Sequence, residues 1–109
     1  MSVLGISNTT RVIAYDERGG IYAARLWWIL NHYGHSNVAL LDGGIVAWRR
    51  AKLPLTTETP AITPTTYRAD PKADRVKKAG WIREDLKDPT VALVDARSPA
   101  EYLGAERLA

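Results

Sequence analysis

An α/β fold wound around a parallel sheet is predicted by three observations. Two short apolar runs, Val12 to Tyr15 and Val38 to Leu41, each end in a loop that holds Asp and paired Gly. The stretch between them, Ile21 to Tyr33, is apolar and helical in character. A second helical stretch, Ile45 to Ala51, follows the second run. Strand, loop, helix, strand and helix is the order that parallel pairing demands, because a parallel neighbour is reached through a crossover packed on the sheet.

Each element has a local reason. Asn8-Thr9-Thr10 is a polar turn, and Val12 to Tyr15 suits a strand buried on both faces. Asp16 to Gly20 is the loop between that strand and the first helix, the place where such folds put anion-binding and nucleophile-bearing turns. Gly34 ends the helix and His35-Ser36-Asn37 leads to the second strand. Asp42 is placed to cap the next helix, Gly43 and Gly44 allow a tight turn, and Leu53-Pro54 stops it. Residues 55 to 75 are rich in Thr and Pro and read as an extended linker. Val76 to Leu86 is expected to be helical, interrupted by Gly80, and Val91 to Val94 to be a third buried strand. Ser98-Pro99-Ala100-Glu101 is a helix start, with Ser98 as cap, Pro99 in the first turn and Glu101 three residues after the cap.

Composition narrows the function classes. The 109 residues are 46% hydrophobic with four Trp, enough for a packed core. No apolar run approaches the roughly 20 residues that cross a bilayer, and the first residues lack a signal-peptide pattern, so no membrane association and a cytoplasmic location are expected. Residues 1 to 55 carry six Lys/Arg against three Asp/Glu, and residues 56 to 109 carry nine of each. That excess suits a small anion, while no basic run interleaved with aromatics points to nucleic acid. With no cysteine, disulfides, thiolate metal sites and a cysteine nucleophile are excluded from this chain.

Four stretches carry a family resemblance. Tyr-Asp-Glu-Arg-Gly-Gly-Ile-Tyr-Ala-Ala-Arg-Leu-Trp-Trp-Ile-Leu (15 to 30), Tyr-Gly-His-Ser-Asn-Val (33 to 38) and Leu-Leu-Asp-Gly-Gly-Ile-Val-Ala-Trp (40 to 48) resemble the first domain of tandem-domain sulfurtransferases of the rhodanese family. Val-Ala-Leu-Val-Asp-Ala-Arg-Ser-Pro-Ala-Glu-Tyr-Leu-Gly (91 to 104) resembles the start of the second domain. The resemblance implies a rhodanese-like parallel sheet flanked by helices, divided as the C-terminal half of an inactive first domain (1 to 54), a linker (55 to 75) and the N-terminal part of a second domain (76 to 109). On this view the chain is truncated at both ends, and its partner is the rest of the second domain in the same polypeptide. A single permuted domain, with Val91 to Val94 in a missing strand position, is the less favoured arrangement.

What the resemblance implies about chemistry is sulfur transfer from thiosulfate or 3-mercaptopyruvate to a thiophilic acceptor, through a persulfide on a cysteine ringed by backbone N–H groups. No metal or other cofactor is implied, and the parent's ligand is a small sulfur-containing anion. Asp16 stands at the first-domain position equivalent to that cysteine, so no catalytic residue is assigned in this chain. Asp16, Arg18, Gly19 and Gly20 are then a vestigial anion loop with Arg18 as charge partner, although a capped strand-to-helix turn is the plainer alternative. Asp95 and Arg97 are candidates to support the catalytic pocket, or else a local ion pair fixing a turn. Glu101 stands where several relatives carry an anion-binding Arg, six residues after that Asp, with Arg107 as a possible substitute. The helix 21 to 33 is apolar almost all round, so Trp27 or Trp28 either anchors the second domain or joins a single core. His32 and His35 are expected to be solvated helix-end residues. The competing function is a noncatalytic rhodanese-like module that binds or scaffolds a partner.

Overall fold

A computed structural model of the chain describes residues 1–107. They divide into two compact units, Met1–Val76 and the residues from Lys77 onward. The first unit is α/β, with a small parallel sheet and helices. Strand β1 (Val12–Ala14) pairs in parallel with β2 (Val38–Leu40), in the register Val12 to Val38, Ile13 to Ala39 and Ala14 to Leu40. Helix α1 (Ile21–His32) makes the crossover and packs on both strands. Its inward positions are Ala23 and Leu30, which join Ala14 as the buried apolar core. Helix α2 (Gly44–Arg50) follows β2 directly.

The ends of these helices are specified locally. Gly34 has φ +80° and follows the last residue of α1's C-terminal turn. Its N–H donates to Asn31 O at 3.1 Å while the His35 N–H donates to Leu30 O at 2.8 Å. That double bond pattern is a Schellman motif, which satisfies orphan carbonyls and turns the residue after the glycine back toward the helix. Helix α2 ends as Lys52 enters the left-handed region at φ 54°, and the Trp48 indole N–H then donates to Pro54 O at 3.0 Å.

Part of the Thr/Pro segment is bonded back onto this unit. Thr65 N–H donates to Ser2 O and Tyr67 N–H to Ser2 Oγ, while Asn8 exchanges two hydrogen bonds with the Arg68 backbone. Asp70 N–H reaches Tyr33 O at 3.0 Å and Lys72 N–H reaches His32 O at 2.7 Å. Residues 65 to 72 thus form a strap across the N-terminal turn and the end of α1.

The unit from Lys77 onward contains α3 (Ala79–Asp85) and α4 (Pro99–Tyr102). The helix expected over 76 to 86 is shorter, starting only at Ala79. The strand expected at Val91 to Val94 is not formed: Leu93 and Val94 are 56% and 86% exposed, and these residues pair with no described strand. An apolar β-branched run has strand propensity, but a strand exists only against a neighbour that takes its hydrogen bonds. At α4 the expected start is realised as a capping box. Ser98 Oγ accepts the Glu101 N–H at 3.2 Å, the Glu101 carboxylate accepts the Ser98 N–H at 2.8 Å, and Pro99 occupies the first turn. Ser98→Ala is expected to cost about 1 kcal/mol in the stability of this unit. Loss of α4 amide protection in hydrogen exchange would report it, and unchanged protection would contradict it.

Among the described residues no helix is long and apolar enough to cross a membrane.

Candidate functional site

The strand-to-helix and strand-to-turn loops meet at the carboxyl ends of β1 and β2. There they line a cleft of about 560 Å³ whose walls include Tyr15 to Glu17, Gly19, Gly20, Ala23 and Leu40 to Gly44. The Asp16 side chain is the centre of the first loop. One carboxylate oxygen accepts the N–H groups of Arg18 and Gly20 at 2.8 and 2.9 Å, and the other accepts those of Tyr22 and Ala23 at 2.8 and 2.9 Å. Gly19 and Gly20, at φ +69° and +92°, curl the backbone so that its donors converge. Tyr22 and Ala23 lie in the first turn of α1, where N–H groups have no partner inside the helix. Asp16 supplies that partner from four residues before the helix's boundary residue, Gly20.

This geometry is a four-donor anion cradle filled by the chain's own carboxylate. The N–H groups of Ala23 and Gly20 do most to hold the Asp16 carboxyl below its ordinary value of 3.8, with Arg18 and Tyr22 adding to them against partial desolvation. Arg18 takes part through its backbone alone. No ion pair joins it to Asp16 among the described residues, so the expected charge partnership is not formed. Four backbone donors already surround the carboxylate, and the guanidinium is left exposed.

Asp42 does not cap α2. The boundary residue is Gly43 at φ 67°, and no side chain accepts from the first turn. The left-handed glycine pair shapes this turn without a side-chain acceptor. Gly44, at φ +57°, passes so close to the first loop that a Cβ there would lie 2.3 Å from Asp16 O. The Ile45 N–H donates to the same carbonyl at 3.1 Å, so the two loops are joined backbone to backbone.

Asp95 and Arg97 lie in the other unit and are described by themselves. Arg97 Nε donates to both Asp95 oxygens at 3.0 Å and Nη2 donates to one at 2.6 Å. The Arg97 N–H also donates to Asp95, at 3.0 Å. The Arg97 guanidinium lies 5.6 Å from the centre of the Tyr102 ring. The side-chain bonds from Arg97 bring the Asp95 carboxyl down to about 2, and the same contact raises Arg97. Glu101 is engaged as the reciprocal arm of the Ser98 capping box, whose N–H bond lowers its carboxyl.

The imidazoles depart from expectation. His35 is 1% exposed, and His32 stacks on Trp28 with ring centres 5.4 Å apart, its Nδ1 buried. The glycine at 34 is the signal that could have foretold this for His35, because the residue after a Schellman glycine packs on the helix end. Trp27 is 38% exposed, with Tyr22 and Leu26 also exposed on α1. No group of three or more His, Cys, Asp or Glu among the described residues is arranged to hold a metal ion.

Comparison with known proteins agrees with this architecture. Residues 2–51 match the rhodanese-like domain. Thiosulfate sulfurtransferase of Rattus norvegicus is 35% identical over 105 residues, covering 94% of this chain and 35% of that protein. The 3-mercaptopyruvate sulfurtransferase of Homo sapiens is 35% identical with the same coverage. The sulfur carrier protein TtuD of Thermus thermophilus is 36% identical over 95% of this chain and 38% of its own length. The chain thus spans little more than a third of the length of these relatives. The segment that matches a rhodanese-like domain, 2–51, holds the parallel α/β unit with a backbone anion cradle after its first strand, and the chain as a whole is similar to the thiosulfate and 3-mercaptopyruvate sulfurtransferases.

Proposed function

We propose that this chain is part of a longer sulfurtransferase, to which it contributes the C-terminal half of a noncatalytic first domain and the opening of a catalytic second domain. The parent would move sulfane sulfur from thiosulfate or 3-mercaptopyruvate to a thiophilic acceptor. The observation that carries this reading is the Asp16 carboxylate seated in the cradle of a cysteine-free chain. Sulfur transfer needs a polarizable thiolate that attacks the donor and then carries the sulfane atom as a persulfide. A carboxylate does neither, and here it also occupies the donors that would hold anionic sulfur. The nucleophile is therefore assigned to a cysteine outside this sequence.

Within that parent, Asp95 and Arg97 are proposed to brace the wall of the pocket, and the exposed Trp27 face of α1 to meet the second domain. The apolar character of Tyr22, Leu26 and Trp27 supports the latter. The test is thiocyanate formation from thiosulfate and cyanide, and pyruvate formation from 3-mercaptopyruvate. This chain alone is expected to give neither, and the longer protein to give at least one and to lose it on thiol alkylation. A longer protein inert toward both donors would replace this reading with a noncatalytic binding module.

A further inference from the structure

The polar groups left unexplained by the Asp16 loop lie along the 65 to 72 strap and at the end of α1 that it crosses. Both ring nitrogens of His35, the Tyr67 hydroxyl, the Thr65 hydroxyl and His32 Nδ1 are buried without a protein hydrogen-bond partner among the described residues. The backbone bonds bring these groups to one seam: Lys72 lies against His32, Asp70 against Tyr33, and the Tyr67 ring is centred 5.8 Å from that of His35. Thr65 and Tyr67 are half-buried while Thr66 and Arg68 are exposed, which puts Thr65 and Tyr67 on the inward face of the strap. Gly34 allows the close crossing, since a Cβ there would stand 2.9 Å from Asp70 O.

Roughly 90% or more of buried polar groups in folded proteins have a partner, so this concentration calls for one. The chemistry of the set selects it. A neutral imidazole offers one donor and one acceptor, and each hydroxyl offers both. A cation would call for carboxylates, and the strap's Asp70 is exposed and paired with Lys72. An anion would call for donors only. Water, which donates twice and accepts twice, matches a mixed set of this kind and is the usual tenant of buried polar seams.

We propose that ordered water is built into this seam, bridging His35 to Tyr67 and Thr65 and fastening the strap to the first unit. The site is independent of sulfur transfer. A crystal structure of the protein at a resolution that reveals ordered water is the direct test. It is expected to place at least one water within hydrogen-bond distance of a His35 ring nitrogen and of Tyr67 Oη or Thr65 Oγ1. Direct bonds among these side chains, or a dry seam, would overturn the proposal. Tyr67→Phe and Thr65→Val are each expected to lower the melting temperature by about 4 °C, by removing one end of the bridge. An unchanged melting temperature in both would equally count against it, and should either variant fail to fold, the unsubstituted structure still decides.

Discussion

Gly44→Ala is expected to destabilise the first unit by about 3 kcal/mol or more, measured by urea unfolding. Two costs combine. The residue sits at φ +57°, where an L side chain is strained by roughly 1–2 kcal/mol. In addition, its Cβ would meet Asp16 O at 2.3 Å, and the obstacle is backbone with no rotamer to yield. Relief requires parting the two loops and losing the Ile45 to Asp16 hydrogen bond. Gly19→Ala separates the terms, since φ is +69° there but no atom lies within 4 Å of the added carbon. It is expected to show the conformational cost alone. Equal losses at the two positions would mean that the contact between loops contributes nothing.

Asp16→Ala is the second large effect, because it removes the acceptor of four N–H groups at once. A fall of roughly 5 °C in melting temperature is expected, with Asp16→Asn intermediate, since an amide keeps one acceptor oxygen of two. The pH dependence gives an independent check. The folded Asp16 carboxyl titrates below its ordinary value of 3.8, so its contribution is fully present above about pH 4 and is lost as pH falls through the lower folded value. The unsubstituted chain should therefore lose more stability on acidification below pH 4 than Asp16→Ala does. Asp95, held down to about 2, titrates in the same acid range in both proteins and cancels in the difference. Identical acid profiles would refute a stabilising role for the charged form.

The sequence made some of this legible and not the rest, for physical reasons. The order of apolar runs and glycines marked β1, α1, β2 and the loop at Asp16, because parallel winding and left-handed turns leave local signatures. The Ser98 capping box was equally readable, being a four-residue pattern with both halves in view. Asp42 misled because Asp before a helix is a common cap, whereas this turn is shaped by its glycines. Val91 to Val94 misled because propensity describes a residue's preference and says nothing about the presence of a partner strand. His35 misled because a helix end favours a solvated positive side chain, whereas the Schellman turn at Gly34 directs this one inward.

The strap has a consequence for the order of folding. Its bonds to Ser2 and Asn8 span 60 residues or more, and its bonds to the end of α1 span about 40. Sheet and helix contacts between 12 and 50 close much shorter loops, so they can form before the strap arrives. Prolines at 60, 64 and 71 reduce the freedom this long segment must surrender when it docks. The strap is thus the last piece to lock, and a cut at residue 54 would leave the carbonyls of Ser2, His32 and Tyr33 without the N–H groups that close them.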